Sequence, residues 1–102
     1  MAFEIIIKPI VLLDLDEALL WYEAEQPGLA KRFYQSFEIA IERIRKNPNA
    51  FFDVAPEVKK ILLKKFPYKI FYTISGNKII ILGIAHVKRS NAYIRKRLRQ
   101  MP

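Results

Sequence analysis

Apolar residues recur along this chain with two periods, and the switch between them divides it into a helical first half and an extended second half. Phe3 to Lys8 is rich in β-branched residues and meets Pro9, which cannot donate to a ladder, so the run reads as a first strand that stops there. Leu15, Ala18 or Leu19, and Tyr22 then return at helical spacing, with Asp16, Glu17, Glu23 and Glu25 between them. That pattern predicts an amphipathic helix over roughly 11–25, closed by Pro27-Gly28. Leu29, Phe33, Phe37, Ile41 and Ile44 or Arg45 step along in threes and fours until Asn47-Pro48, predicting a second helix. So short a break between helices makes an antiparallel αα-hairpin. Trp21, Phe33 and Phe37 are expected in its core, and the carboxylates from Asp14 to Glu25 on its wet face, with no catalytic role.

From Val58 the period changes to two. Ile61 and Leu63 alternate with Lys60, Leu62 and Lys64; Tyr68, Ile70, Tyr72 and Ile74 share one face of a further run, with Lys69, Phe71 and Thr73 on the other. Ser75-Gly76-Asn77 supplies the residues of a tight hairpin. Lys78 to His86 is almost wholly apolar, as expected of the central strand of a sheet covered on both faces. Ser90 or Asn91 can cap a last short helix with Ile94, Leu98 and Met101 on one side and Arg95, Lys96, Arg97 and Arg99 on the other. The expected architecture is α+β: β-α-α-β-β-β with a basic C-terminal helix, an antiparallel-rich sheet, and the helical hairpin on one face. The opposite face is left for function.

Composition narrows the chemistry. A chain of 102 residues with 52% hydrophobic content is read as one domain spanning 1–102, with a core that needs no staples. No cysteine and one histidine exclude disulfides, thiolate zinc sites and metal sites needing two imidazoles, so no metal or cofactor is expected. No export signal is read at the start, and Ile79 to Ala85, an apolar run of seven residues, falls far short of the roughly 20 that span a bilayer. A cytoplasmic, membrane-free protein is the expectation. Charge is segregated: residues 1–58 hold six lysines and arginines against ten carboxylates, a balance of −4, whereas residues 59–102 hold twelve and no acid. That second half calls for a polyanionic partner, either nucleic acid or an acidic protein segment.

Five pieces in order carry a resemblance: Asp16-Glu17-Ala18-Leu19-Leu20-Trp21-Tyr22, Pro27-Gly28-Leu29-Ala30-Lys31-Arg32-Phe33, Ile44-Arg45-Lys46-Asn47-Pro48, Phe66-Pro67-Tyr68-Lys69-Ile70-Phe71-Tyr72, and Ile81 to Arg89. Together the chain resembles the RelE/ParE superfamily of toxins, closest to the ParE-like branch, over roughly residues 8–93. The resemblance implies a cytoplasmic toxin of a type II toxin–antitoxin pair, acting in growth inhibition and plasmid stabilisation. It also implies a cognate antitoxin whose C-terminal segment, expected to be acidic, wraps the toxin. Relatives of the RelE kind cleave mRNA in the ribosome; those of the ParE kind poison DNA gyrase.

Metal-free RNA cleavage needs a base, a stabiliser of the phosphorane and an acid. By position, Lys69 resembles the arginine on the third strand of RelE-like nucleases, Arg89 the arginine after the fourth strand, and Tyr93 the tyrosine beyond, while His86 sits where some relatives carry a histidine. The strand order expects Lys69 and His86 near one another. Against this, a lysine replaces a planar guanidinium poorly at a phosphorane, a lone histidine after an apolar strand is more often a packed group, and Tyr93 can simply pack the last helix. A gyrase-directed toxin is therefore favoured over an mRNA endoribonuclease, with a non-toxic basic binding module as a third reading. Lys60, Lys64, Lys88, Arg95, Lys96, Arg97 and Arg99 are the candidates for binding antitoxin or target.

Overall fold

A computed structural model of the chain describes residues 2–100. Strand β1 (Glu4–Ile7) leads into helix α1 (Pro9–Glu25), so Pro9 opens the helix rather than merely ending the strand. The first helical position suits proline, since its missing N–H has no intrahelical partner there. Helix α1 closes at Gln26, and Gly28, at φ 90°, makes the left-handed turn into α2 (Leu29–Lys46). The Glu23 carboxylate fastens that corner by accepting from the Gly28 and Ala30 N–H groups at 3.0 and 3.3 Å, partners that the first turn of α2 could not find within itself. After a 3₁₀ turn at Pro48–Ala50, whose Pro48 carbonyl accepts from the Tyr72 hydroxyl at 2.6 Å, the chain turns extended.

Four strands follow: β2 (Phe52–Ala55), β3 (Val58–Leu62), β4 (Tyr68–Ser75) and β5 (Lys78–His86). The edge strand β2 is an element the alternation did not predict; four residues around Asp53 are too few for a period to register. The sheet order is β1-β5-β4-β3-β2, with β1 parallel to β5 and the other pairs antiparallel. Strand β4 therefore holds the middle, and β5, expected there, lies one place over with both faces still covered. A bulge inserts one extra β5 residue, Leu82, between the Phe71–Gly83 and Tyr72–Ile81 pairs.

The helical hairpin packs on one face around Val11, Leu15, Phe33, Phe37, Ile44, Ile70, Tyr72 and Ile81. Helix α3 (Ala92–Gln100) covers part of the other, where Val58, Phe71, Leu82, Ala85 and Ile94 form a second, smaller core. Met101, expected on the apolar side of this helix, lies outside the described residues.

The two faces are tied together around the edge of β5. Strand β1 pairs only with Lys78 to Ile81, so past Ile81 the outer edge of β5 has no strand beside it. Asp14 from α1 and Arg97 from α3 meet there in a two-pronged ion pair at 2.5 and 2.9 Å. Asp14 also accepts from the Ile84 N–H at 3.1 Å, and Arg97 reaches towards the Leu82 carbonyl at 3.4 Å. Both side chains are nearly enclosed, 14% and 12% exposed. Two sequence expectations are corrected here. Asp14 is not on the wet face of α1, and Arg97 is not among the outward cations of α3; each is withdrawn from water by the other.

Removing one partner of a buried ion pair leaves the other charge unpaired, at a cost of roughly 3–5 kcal/mol. Asp14→Ala is expected to lower the unfolding free energy measured by urea denaturation by an amount in that range, and the double variant Asp14→Leu, Arg97→Met to recover most of it. Recovery no better than either single variant would show that the pair's hydrogen bonds to β5, rather than its charges, hold the edge.

Candidate functional site

Two surfaces stand out. The first is built by α1. Its core arc takes Val11, Leu15, Ala18 and Tyr22, but the helix carries more large apolar residues than one arc can hold. Leu13, Leu20 and Trp21 are left 67%, 74% and 57% exposed. Trp21 is thus not a core residue as expected: its neighbour Tyr22 occupies the core position, and 100° of helical rotation swings Trp21 outward. Leu20 and Trp21 overlook a groove of about 810 Å³ whose other wall comes from Tyr68, Ile84, His86 and Arg89. The signal for this ridge was present in the surplus of Leu and Trp on α1.

The second surface is the neighbourhood of the β5–α3 loop, to which the sequence assigned possible chemistry. Lys69, 4% exposed, sends its ammonium into that loop, donating to the Arg89 carbonyl and, at 3.0 Å, to the Asn91 side chain. Burial and then the nearby Lys60 charge hold its pKa below the ordinary value of 10.5. The guanidinium groups of Arg89 and Arg97 lie over the Tyr93 ring, 4.3 and 4.8 Å from its centre. The Tyr93 hydroxyl lies beside Asp14, and burial foremost, then that carboxylate, pushes its pKa up to about 12. Ser90, one of the two expected caps, accepts from the Ala92 N–H at 3.1 Å.

His86 is not part of this cluster. Register sets Tyr68 across from His86, and Lys69 across from Ala85, so Lys69 and His86 project from opposite faces although their strands adjoin. The His86 ring meets Tyr68 edge to face at 5.4 Å, and its Nδ1 accepts from the Lys88 N–H at 3.1 Å, which leaves Nε2 as the protonated nitrogen of the neutral ring. Lys69, Arg89 and Tyr93 are brought together, then, but by bonds that brace the loop, and His86 stands apart. Lys64, Lys88, Arg95, Lys96 and Arg99 are exposed and Lys60 is half-buried. Among the described residues no cluster of three or more potential metal ligands occurs, and no helix is long and apolar enough to cross a membrane.

This arrangement of a helical hairpin, a five-stranded sheet and a basic helix has counterparts among known proteins. The fold matches the chromosomal ParDE toxin–antitoxin system of P. aeruginosa at a TM-score of 0.73, with 19% identity, over 82% of this chain and 95% of that one. It matches the isolated E. coli RelE toxin at 0.64, with 13% identity, over 98% and 100% of the two chains. In sequence, the Toxin ParE2 of Mycobacterium tuberculosis is 34% identical over 74 residues, 72% of this chain and 70% of that protein. The family model described as "ParE toxin of type II toxin-antitoxin system, parDE" matches residues 5–91. The chain belongs to that family of toxins.

Two raised phenols contribute to its stability at alkaline pH. Tyr93 and Tyr72, both pushed up to about 12 chiefly by burial, keep their protons longer in the fold than in the unfolded chain. Their contribution is intact below the ordinary value near 10 and is lost as pH rises through about 12. The urea midpoint is expected to fall across that window and to fall less steeply in Tyr93→Phe. A midpoint flat to pH 12 would contradict the assignment.

Proposed function

We propose that the whole chain is one toxin domain that acts in the cytoplasm by poisoning DNA gyrase and is silenced by its cognate antitoxin. As a type II toxin its partner is an antitoxin protein. The observation that carries the target reading is the position of Lys69: the side chain at the site of a nuclease phosphorane clamp is buried and two of its three donors are taken by the loop. His86 on the other face and the Tyr93 phenol, held neutral beside Asp14, support the same reading. An acid with a pKa near 12 releases no proton at neutral pH, and a phosphorane needs a donor aimed at it before reaction. The mRNA-cleaving alternative would need Lys69 to leave its loop.

The antitoxin is assigned to the α1 ridge and its groove, because exposed Leu13, Leu20 and Trp21 form the kind of apolar patch that marks a protein interface. Lys60, Lys64, Lys88, Arg95, Lys96 and Arg99 remain for the target or for an acidic stretch of the antitoxin. Arg97, bound to Asp14, is not offered to either.

Purified protein incubated with gyrase, ATP and supercoiled plasmid is expected to yield linear DNA once the enzyme is denatured and digested. Primer extension on cellular mRNA after induction is expected to show no codon-aligned cuts. Clean ribosomal cleavage sites would overturn the reading in favour of the nuclease, and unimpaired growth with the protein accumulating would favour a binding module.

Trp21 is the chain's one tryptophan, so it reports on the ridge directly. Antitoxin binding is expected to shift its emission to shorter wavelength, and Leu20→Arg to weaken binding at least tenfold. An unchanged spectrum on saturation with antitoxin would remove the ridge from the interface.

A further inference from the structure

The open edges of the sheet are not treated alike. Strand β2, at one end, is blunted by a register shift between Asp53 and Ala55 and by Pro56 just after it. The stretch of β5 past Ile81 is locked by Asp14 and Arg97. The outer edge of β1 has neither a bulge nor a proline within it, and no charge at its centre. Glu4 donates its N–H to the Asn77 carbonyl at 2.9 Å, on the β5 side. Successive backbone groups of a strand point to opposite sides, so Ile6 also turns its N–H and C=O to β5, and Ile5 and Ile7 turn theirs outward. Among the described residues nothing in the chain bonds to those outward groups. Side chains alternate as well. Ile5 and Ile7 pack into the core under the helical hairpin, whereas Ile6 joins neither core and stays half-buried on the other face beside Ile80.

We infer that β1 is the contact between two copies of this chain, paired antiparallel about a two-fold axis through Ile6. The inference uses no residue given to the antitoxin or the target, and it stands whichever target reading holds.

The partner is a second copy because the order Glu4-Ile5-Ile6-Ile7-Lys8, read in reverse, is its own complement. Turned about Ile6, Glu4 of each copy faces Lys8 of the other, Ile5 faces Ile7, and Ile6 faces itself. The outward groups of Ile5 and Ile7 then meet as the hydrogen-bonded pairs of an antiparallel ladder. Ile6 and the Glu4–Lys8 contacts fall at the non-bonded pairs, where side chains come closest. A slip by one residue would set outward groups against inward ones, and a slip by two would part the charges. Neither Glu4 nor Lys8 has an ionic partner among the described residues. Pro9 and Ile10, both exposed at the start of α1, come to lie against Ala2 and Phe3 of the other copy and extend the apolar contact. A strand of four residues makes a small interface, of the class below about 1,200 Å² that gives weak, concentration-dependent association. Pro9 ends the strand, and two-fold pairing uses the edge up, so assembly closes at two copies.

The test is sedimentation equilibrium of the full chain from about 1 μM to about 1 mM, the span of weak association. A monomer–dimer equilibrium is expected. Ile6→Lys, which sets two ammonium groups face to face at the axis, should leave only monomer, with circular dichroism unchanged because Ile6 packs in neither core. Glu4→Lys and Lys8→Glu should each weaken self-association at least about fourfold. An equal mixture of these two variants should pair as well as the unaltered chain, since each supplies the charges that the other lacks. A chain that is monomeric throughout, or that assembles beyond two copies, would overturn the proposal. So would a dimer that survives Ile6→Lys, which must lie on another surface, or two charge variants that do not pair with each other. If the chain is a monomer and Ile6→Lys instead weakens antitoxin binding, the edge belongs to the antitoxin and the proposal is equally lost.

Discussion

The structure depends on how one strand edge is closed. Strand β5 is longer than the β1 strand beside it, and a run of unpaired backbone donors and acceptors invites another chain to pair. Most sheets blunt such an edge with a short strand, a proline or a surface lysine. Here two charged side chains from opposite faces reach around it and meet. Their desolvation is costly, and the geometry offsets it: both carboxylate oxygens and both terminal guanidinium nitrogens are used, and the remaining capacity goes to the Ile84 N–H and the Leu82 carbonyl. The bulge at Leu82–Gly83 belongs to the same device. A Cβ on Gly83 would lie 3.1 Å from the Arg97 guanidinium and 3.3 Å from the Tyr93 hydroxyl, so a side chain there would press on both groups of the lock.

Once that edge is closed, the molecule has two unlike working surfaces. The α1 side is apolar with carboxylates between its hydrophobic residues; the α3 side is basic with a few apolar side chains set into it. The same helix that supplies Arg97 inward supplies Arg95 and Arg99 outward, so the lock and the cationic wall are successive positions on one short element.

Much of this was legible before any coordinates. The helical hairpin followed from residues three and four apart between Leu29 and Ile44, and strands β3 to β5 from alternation after Val58. The segregated charge pointed to a basic face that α3 and β3 do present. What could not be read was whatever depended on partners distant in sequence. Asp14 looks like any solvated carboxylate until Arg97 is placed beside it, and the two are 83 positions apart. Lys69 looks available until the β5–α3 loop folds back over its ammonium. The opposition of Lys69 and His86 turned on a register shift of one residue, which reverses faces and which composition cannot fix. Trp21 was misplaced for a subtler reason: hydrophobicity argues for burial, but a helix already given Tyr22 had no core position left for its neighbour.

The long reach of the Asp14–Arg97 contact also has a meaning in time. A ribosome adds about 5–20 residues each second. Asp14 therefore waits roughly 4–17 s after its own synthesis for the arginine that completes it, and until Arg97 has emerged the helical hairpin has no strap around the sheet. For the later part of that interval the residues of the α1 ridge have been made and the basic helix has not. An inhibitor that recognises the ridge can thus engage the toxin while it is still being made.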